Sequence, residues 1–448
     1  MRVVITRAAL ATAAVFALAA CAPADPTARP RPIVPTLEAS AWRAASVPIT
    51  AATIADLDLL GRLDVLQNAA TGTASTAFAH AVSPDGRALA VLDDTALTVF
   101  SLETGARVFS TGRADAVGVF FAPDGSELYT LDSAGLWSAL DPATGAMRAT
   151  ALAADSGFTG LFAYDSVTGV FALVQQAGTI ALWDAPGRAF AGQLVPPDAG
   201  LYPGAALAVA PGVASVAFAR ADGQITWWRA FPELAEAADA NGAQAQADET
   251  APVAASAMRA VGSFLLDTAE PLTLAFRPDG LQIAVGTTRD TRLWNDPSAL
   301  PADENAVRTL DSGPAPHIVY ADRADATAAP LLVGETRLTV WDAAAARLLG
   351  GLPEASGIAF DAAFSPDGAY LLTTSIGAVP GGLGDDAAAP PDLTSLWALA
   401  EAGPEGIGRA DLPVNTPIVR ADWTADGRLI LLFSANGPVY VWGIPAPA

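Results

Sequence analysis

From Ala77 onward, short runs rich in alternating apolar residues are cut at regular intervals by turn residues. The first such unit is AFAHAVSPDGRALAVLDDTALTVFSLETG, Ala77 to Gly105, and it recurs as AVGVFFAPDGSELYTLDSAGLWSALDPATG, Ala116 to Gly145. Alternation with a period of two marks a strand with two distinct faces, and Asp-Gly between two runs supplies the positive φ of a tight hairpin. Each unit therefore predicts a strand, a turn, a second strand, a short turn and a third strand ending in a large apolar residue. The Pro-Asp-Gly turns at Pro84 and Pro123 lie 39 residues apart. Repeats of this length with turns inside each unit predict sheets arranged radially.

Further units follow at Ala163 to Trp183, Ala206 to Trp228 and Leu272 to Trp294, then at Leu331 to Trp341, from Ile358 resuming at Leu393, and at Ile418 to Trp442. Their third strands end at Phe100, Leu140, Trp183, Trp228, Trp294, Trp341, Trp397 and Trp442. The expectation is an all-β fold: a single β-propeller of four-stranded antiparallel blades, eight in number, with seven left open by the irregular sixth unit. The large apolar bodies of Trp183, Trp227, Trp228, Trp294, Trp341, Trp397 and Trp442 suit the packing between blades; Trp42, Trp137 and Trp423 have no such assignment. Two inserts interrupt the pattern, one acidic and Ala-rich at 233–252, the other Gly- and Pro-rich at 376–392.

The turn Ser-Pro-Asp-Gly at Ser83–Gly86 and Ser365–Gly368, its variants at Ala122–Gly125 and Arg277–Gly280, and the dipeptides Trp183-Asp184 and Trp341-Asp342 are similar to motifs of the WD-repeat superfamily, including its quinoprotein-like bacterial members. The resemblance covers about Ile49 to Trp442, and the family's Gly-His pair is missing. It implies how the ring shuts: the last unit stops after its third strand, so Asp56–Leu63 would serve as the outer fourth strand of the last blade. A helix over 49–66, favoured by its Ala and Leu content, is the alternative. The resemblance also places the second-to-third-strand connection, hence the insert at 376–392, on the face that commonly binds partners in the family. Gly381, Gly382 and Gly384 with Asp385 and Asp386 at the tip are the candidate binding loop.

Composition adds an address. Arg2 and Arg7 precede an apolar run, Ala8 to Ala20, which is laid out like a secretory signal and falls short of the roughly 20 apolar residues of a comfortable membrane span. Leu18-Ala19-Ala20-Cys21 resembles a bacterial lipobox, which implies diacylation of Cys21, the sole cysteine, and removal of residues 1–20. Residues 21–48, rich in Pro and Ala, read as a tether, with the propeller over 49–448. Ala22 after the cysteine resembles an outer-membrane sorting signal, which places the protein on the periplasmic face of that membrane. The mature chain would carry 22 Arg and Lys against 47 Asp and Glu, a formal charge of −25, which makes nucleic acid an unsuitable partner.

Candidate chemistry is sparse. His80 sits in an alternating strand, which assigns it to the core or the axial channel, and His317 precedes a similar one; the two lack metal-ligand spacing. No Gly-x-Ser-x-Gly elbow occurs, and the acids of the Asp-Gly turns are explained by turn geometry. No catalytic residue, metal site or cofactor is assigned; a quinone-dependent redox enzyme would want an adjacent-cysteine pair. The expected function is a noncatalytic scaffold that binds an envelope protein. The alternatives are a lactonase-like hydrolase with a metal in the channel, recognisable by Asp side chains converging on the axis with an Asn or His, and a glycan- or small-molecule-binding protein.

Overall fold

A computed structural model of the chain describes residues 42–64, 79–113, 115–153, 157–200, 202–213, 215–230, 258–267, 269–296, 307–321, 330–334, 338–352, 358–376, 393–399, 409–412, 414, 416–435 and 437–446. The strands among them form eight four-stranded antiparallel sheets. Blades 1 to 8 open with the strands Ala79–Val82, Ala116–Phe121, Phe158–Asp165, Gly204–Val209, Pro271–Phe276, His317–Tyr320, Ile358–Phe364 and Ile418–Trp423. Contacts between successive first strands place them around the axis. Fourth strands such as Arg107–Gly112 and Met147–Leu152 alternate between exposed and half-buried residues at the rim. The protein is an eight-bladed propeller, and the irregular sixth unit supplies a complete blade.

Burial explains the composition of the second strands. Val170–Gln175 and Leu429–Ser434 are buried at every residue, because each sheet is covered by a neighbouring blade on both faces, and such strands become continuously apolar. The core is accordingly divided into eight layers, one between each pair of neighbouring blades. Between blades 2 and 3, for example, Phe120, Tyr129 and Trp137 meet Phe162, Phe171 and Trp183. The seven tryptophans assigned to blade packing are buried, and so are Trp137 and Trp423.

The first turn of a blade is a small hydrogen-bonded unit. Ser83 Oγ donates to Asp85 and accepts from the Ala88 N–H at 2.9 Å; Ser365 with Asp367 and Tyr370, and Thr424 with Asp426 and Leu429, repeat the arrangement. Gly86, Gly368 and Gly427 follow with φ of 71°, 64° and 68°, values that L side chains rarely adopt. Ser83 and neighbouring N–H groups hold the Asp85 carboxyl below its usual range against the opposing effect of burial.

Asp58–Leu63 closes the ring as the fourth strand of blade 8, antiparallel to Val439–Gly443, with Leu59 opposite Trp442 and Gly61 opposite Val441. Only the short 3-10 turn Ile54–Asp56 precedes it, in place of the alternative helix. Ahead of that turn, residues 42–50 form a strap across the seam between blades 8 and 1. Ser46 N–H donates to Ile444 O at 2.8 Å, Ala446 N–H to Ala44 O at 2.9 Å and Ile49 N–H to Gly427 O at 2.9 Å. Trp42 lies against Gly61 of blade 8 and Gly105 of blade 1, where a Cβ would run into its ring, and its Nε1 donates to Glu103 O at 2.9 Å.

The antiparallel order gives the ring two unlike faces. First-to-second and third-to-fourth turns share one, called here the turn face; second-to-third connections and those between blades share the other, the crossover face. The strap reaches the ring on the turn face, beside Gly427 and Ile444.

Candidate functional site

The lipidation residue Cys21 and the candidate loop residues Gly381, Gly382, Gly384, Asp385 and Asp386 lie outside the described residues, as does the insert 233–252. The strands that flank them are described. Tyr370–Ile376 and Leu393–Ala398 are the second and third strands of blade 7, so the chain between them leaves from the crossover face. Gln224–Ala230 and Met258–Leu265 are the third and fourth strands of blade 4, so the acidic insert leaves from the turn face.

Among the described residues, a group of ionisable side chains gathers on the first strands of neighbouring blades. Tyr320, Phe364 and Trp423 occupy equivalent places, since the partner of each on the second strand pairs in turn with the blade's third-strand tryptophan. Three residues earlier on those first strands stand His317, Asp361 and Arg420. The equivalent positions in blades 1 to 5 are Ala79, Gly118, Leu161, Ala206 and Thr273, none of them charged. Three consecutive blades of the eight thus carry a titratable arc that the other five lack at this position.

Asp422 and His80 extend this group across the seam. His80 Nε2 lies 3.0 Å from Asp422 Oδ2, and the imidazole stacks on Phe433 with ring centroids 4.0 Å apart. Asp422 Oδ1 accepts from the Trp423 N–H at 2.8 Å. On the other side of blade 8, Asp361 Oδ2 accepts from the Ala421 N–H at 3.0 Å and its Oδ1 from the Ala362 N–H at 3.0 Å, while Trp423 Nε1 donates to Ala363 O at 3.3 Å.

The two carboxyls are shifted in opposite directions. Burial pushes Asp361 up, helped by the nearby Asp422 charge and opposed by Arg420, the Ala421 N–H and His317. Burial also works against ionisation of Asp422, but the His80 hydrogen bond and the Trp423 N–H outweigh it and hold that carboxyl below its usual range. A His-Asp pair can orient a general base. Here the imidazole is only 8% exposed and covered by Phe433, and both oxygens of each carboxylate already have partners. The arrangement serves as a clasp holding blade 8 between blades 7 and 1. Asp361 and Asp422 do approach the axis with a histidine, but no three His, Cys, Asp or Glu side chains among the described residues gather as a metal cage.

No protein-family model matches the chain, and no curated protein does. Solved structures do. The C-terminal WD40 domain of Sif2 is similar over 86% of this chain and 98% of its own, with 10% identity and a TM-score of 0.56. The computationally designed Ika8 protein is similar over 85% of this chain and 98% of its own, with 14% identity and a TM-score of 0.59. What the chain shares with both is the β-propeller fold. At these identities the likeness is one of architecture alone.

Sequence reasoning placed His80 on a first strand, where the structure has it, and His317 just ahead of one, whereas His317 is the first residue of its strand; it singled out none of Asp361, Arg420 or Asp422. Their signal is positional: it lies in the charged side chains that share one register position on the first strands of neighbouring blades. Inside single repeats each acid looks like any other.

Proposed function

We propose that the protein is a noncatalytic, lipid-anchored scaffold of the bacterial cell envelope, held at Cys21 and presenting its propeller to protein partners. The support for this reading is the internal satisfaction of the axial groups: His80, Asp361 and Asp422 spend their hydrogen bonds on joining neighbouring blades and on their own strands, which leaves the faces of a rigid ring as the surfaces for recognition. The apolar run ending at Cys21 supplies the address, and the described residues include no helix long and apolar enough to cross a membrane.

The test is photo-crosslinking of the tagged full chain in envelopes, with Cys21→Ala as the unanchored control and deletion of 377–392 as the loop variant. A photoreactive side chain is required, because the chain contains no lysine for amine-reactive reagents. The expected result is an acylated amino-terminal cysteine by mass spectrometry and a reproducible set of crosslinked envelope proteins lost in Cys21→Ala. An unmodified Cys21, or the same crosslinks with and without the anchor, overturns the anchoring; an empty crosslink set overturns the scaffold.

A further inference from the structure

The two faces of the ring differ in how they treat apolar and charged side chains. On the turn face, exposed apolar residues such as Val108, Met147, Phe190 and Leu348 stand roughly one to a blade around the ring. Each is beside an arginine, and many of those arginines are paired locally: Arg148 with Asp141, Arg188 with Glu127, Arg347 with Asp342. Scattered apolar residues among neutralised charges are ordinary protein surface.

The crossover face is different. Among the described residues, its large exposed apolar side chains are Leu136, Leu152, Val195, Tyr202 and Leu265, between 38% and 62% exposed, and these belong to blades 2 to 4 or to the connection between blades 3 and 4. Leu136 and Leu152 face each other in register on the third and fourth strands of blade 2. Val195 and Tyr202 lie in a connection that is held in shape: Arg220, 5% exposed, donates to Pro197 O at 2.7 Å, pairs with Asp222 and sets its guanidinium 5.1 Å from the Tyr202 ring centre. Gly178 abuts the Gly200 amide so closely that a Cβ there would collide with it. The exposed charges around this arc are mostly acidic: Asp115, Asp198, Asp267 and Glu270 form no ion pair with a described residue, and the exposed Arg289 of blade 5 stands beside Glu270.

We infer that the crossover face of blades 2 to 4 is the docking surface of the scaffold, and that it takes a protein segment that is apolar on one side and arginine- or lysine-rich on the other. Leucine and valine side chains on a fixed frame favour an apolar counterpart, and unpaired carboxylates at the margin select cationic groups and repel acidic ones. The chain enters the ring on the opposite, turn face, so an anchor at Cys21 does not compete for this surface. The inference rests on the scaffold reading above and adds the surface and the chemistry of the partner.

The test measures fluorescence anisotropy of the detergent-solubilised full chain with a labelled amphipathic peptide of Leu and Arg, its sequence-scrambled form, and a Leu and Glu version. The amphipathic Leu/Arg peptide is expected to bind in a salt-dependent way, the scrambled form more weakly and the Glu version not at all. Leu152→Ser with Leu265→Ser should weaken binding about tenfold, a change worth roughly 1.4 kcal/mol, and Asp267→Asn with Glu270→Gln should reduce the salt dependence. Met147→Ser with Leu348→Ser, on the turn face, should leave binding unchanged. Equal losses from both faces, or none from the crossover face, overturn the proposal. In envelopes, crosslinks from a photoreactive residue at Val108 but not at Val195 overturn this surface and leave the scaffold standing; no crosslink from either position overturns this surface, and a crosslink set empty at every position of the chain overturns the scaffold with it.

Discussion

At the residue scale, the pair of His80 and Asp422 shows how a propeller uses ionisable side chains to join its last blade to its first. His80 is buried and Asp422 half-buried at the seam between the last and first blades, and each is the other's partner at 3.0 Å. Removing the imidazole in His80→Ala leaves Asp422 Oδ2 without its partner and Phe433 without its stacking neighbour, and should lower stability by about 2 kcal/mol in urea unfolding at neutral pH. The pH dependence has a definite sign. Because the folded protein holds Asp422 below the usual carboxylate range, its contribution is complete above the unfolded value and is lost as pH falls through the lower folded one. The stability difference between wild type and His80→Ala should therefore narrow in acid. Asp361 works in the opposite sense: raised by burial, it costs stability once ionised and relieves that cost on protonation. A difference that widens on acidification would contradict the clasp.

Among the elements, the turn between third and fourth strands carries a requirement that the blades meet unequally. Gly105 and Gly145 occupy its fifth position with φ of 68° and 73°; the equivalent residues in blades 3 and 6 are Arg188 and Ala346, at 55° and 51°. An L side chain in this left-handed region is disfavoured by about 1 kcal/mol or more. Ala346→Gly should therefore stabilise the protein, by about 1 kcal/mol less the extra chain entropy of glycine, as a rise in the urea midpoint with unchanged slope. The reverse change, Gly105→Ala, meets both the backbone restriction and the ring of Trp42, and should destabilise by more than a simple turn substitution. Strand placement was legible for a simple reason: alternation and Asp-Gly turns act within a few residues of each other. Blade 6 was harder, since its first turn lacks the Asp-Gly signal and its identity as a blade rests on ladder pairing with Pro330–Gly334.

For the molecule as a whole, closure is the element that makes eight sheets one ring. Asp58–Leu63 caps the outer edge of Val439–Gly443, while Trp42 and the strap tie that blade to blade 1. A chain lacking residues 42–63 would expose the third strand of blade 8 as an edge and open the core layer that holds Leu60 and Leu63. It should unfold at lower temperature and self-associate, measured by thermal melting and size-exclusion chromatography; a monomeric variant with wild-type melting would show that the ring does not depend on this strand. Trp42→Ala, which keeps the strand and removes only the wedge, should give a smaller loss.

Apart from the closing strand, which the WD-repeat resemblance implied, what the sequence determined by itself was local and periodic: strands from alternation, hairpins from Asp-Gly, and a count of eight blades, with seven left open, from the third-strand ends. These follow from interactions within one repeat, or from a count of repeats. The tertiary structure alone decided which side chains meet at the axis and which stand together on a face. His80 and Asp422 are 342 positions apart in the chain and become neighbours only because the ring closes. His317, Asp361 and Arg420 form an arc only because three blades stand side by side, and Leu136, Val195 and Leu265 share a surface for the same reason. Local patterning has no term for such contacts, since their energy arises between repeats, after each repeat has already taken its form.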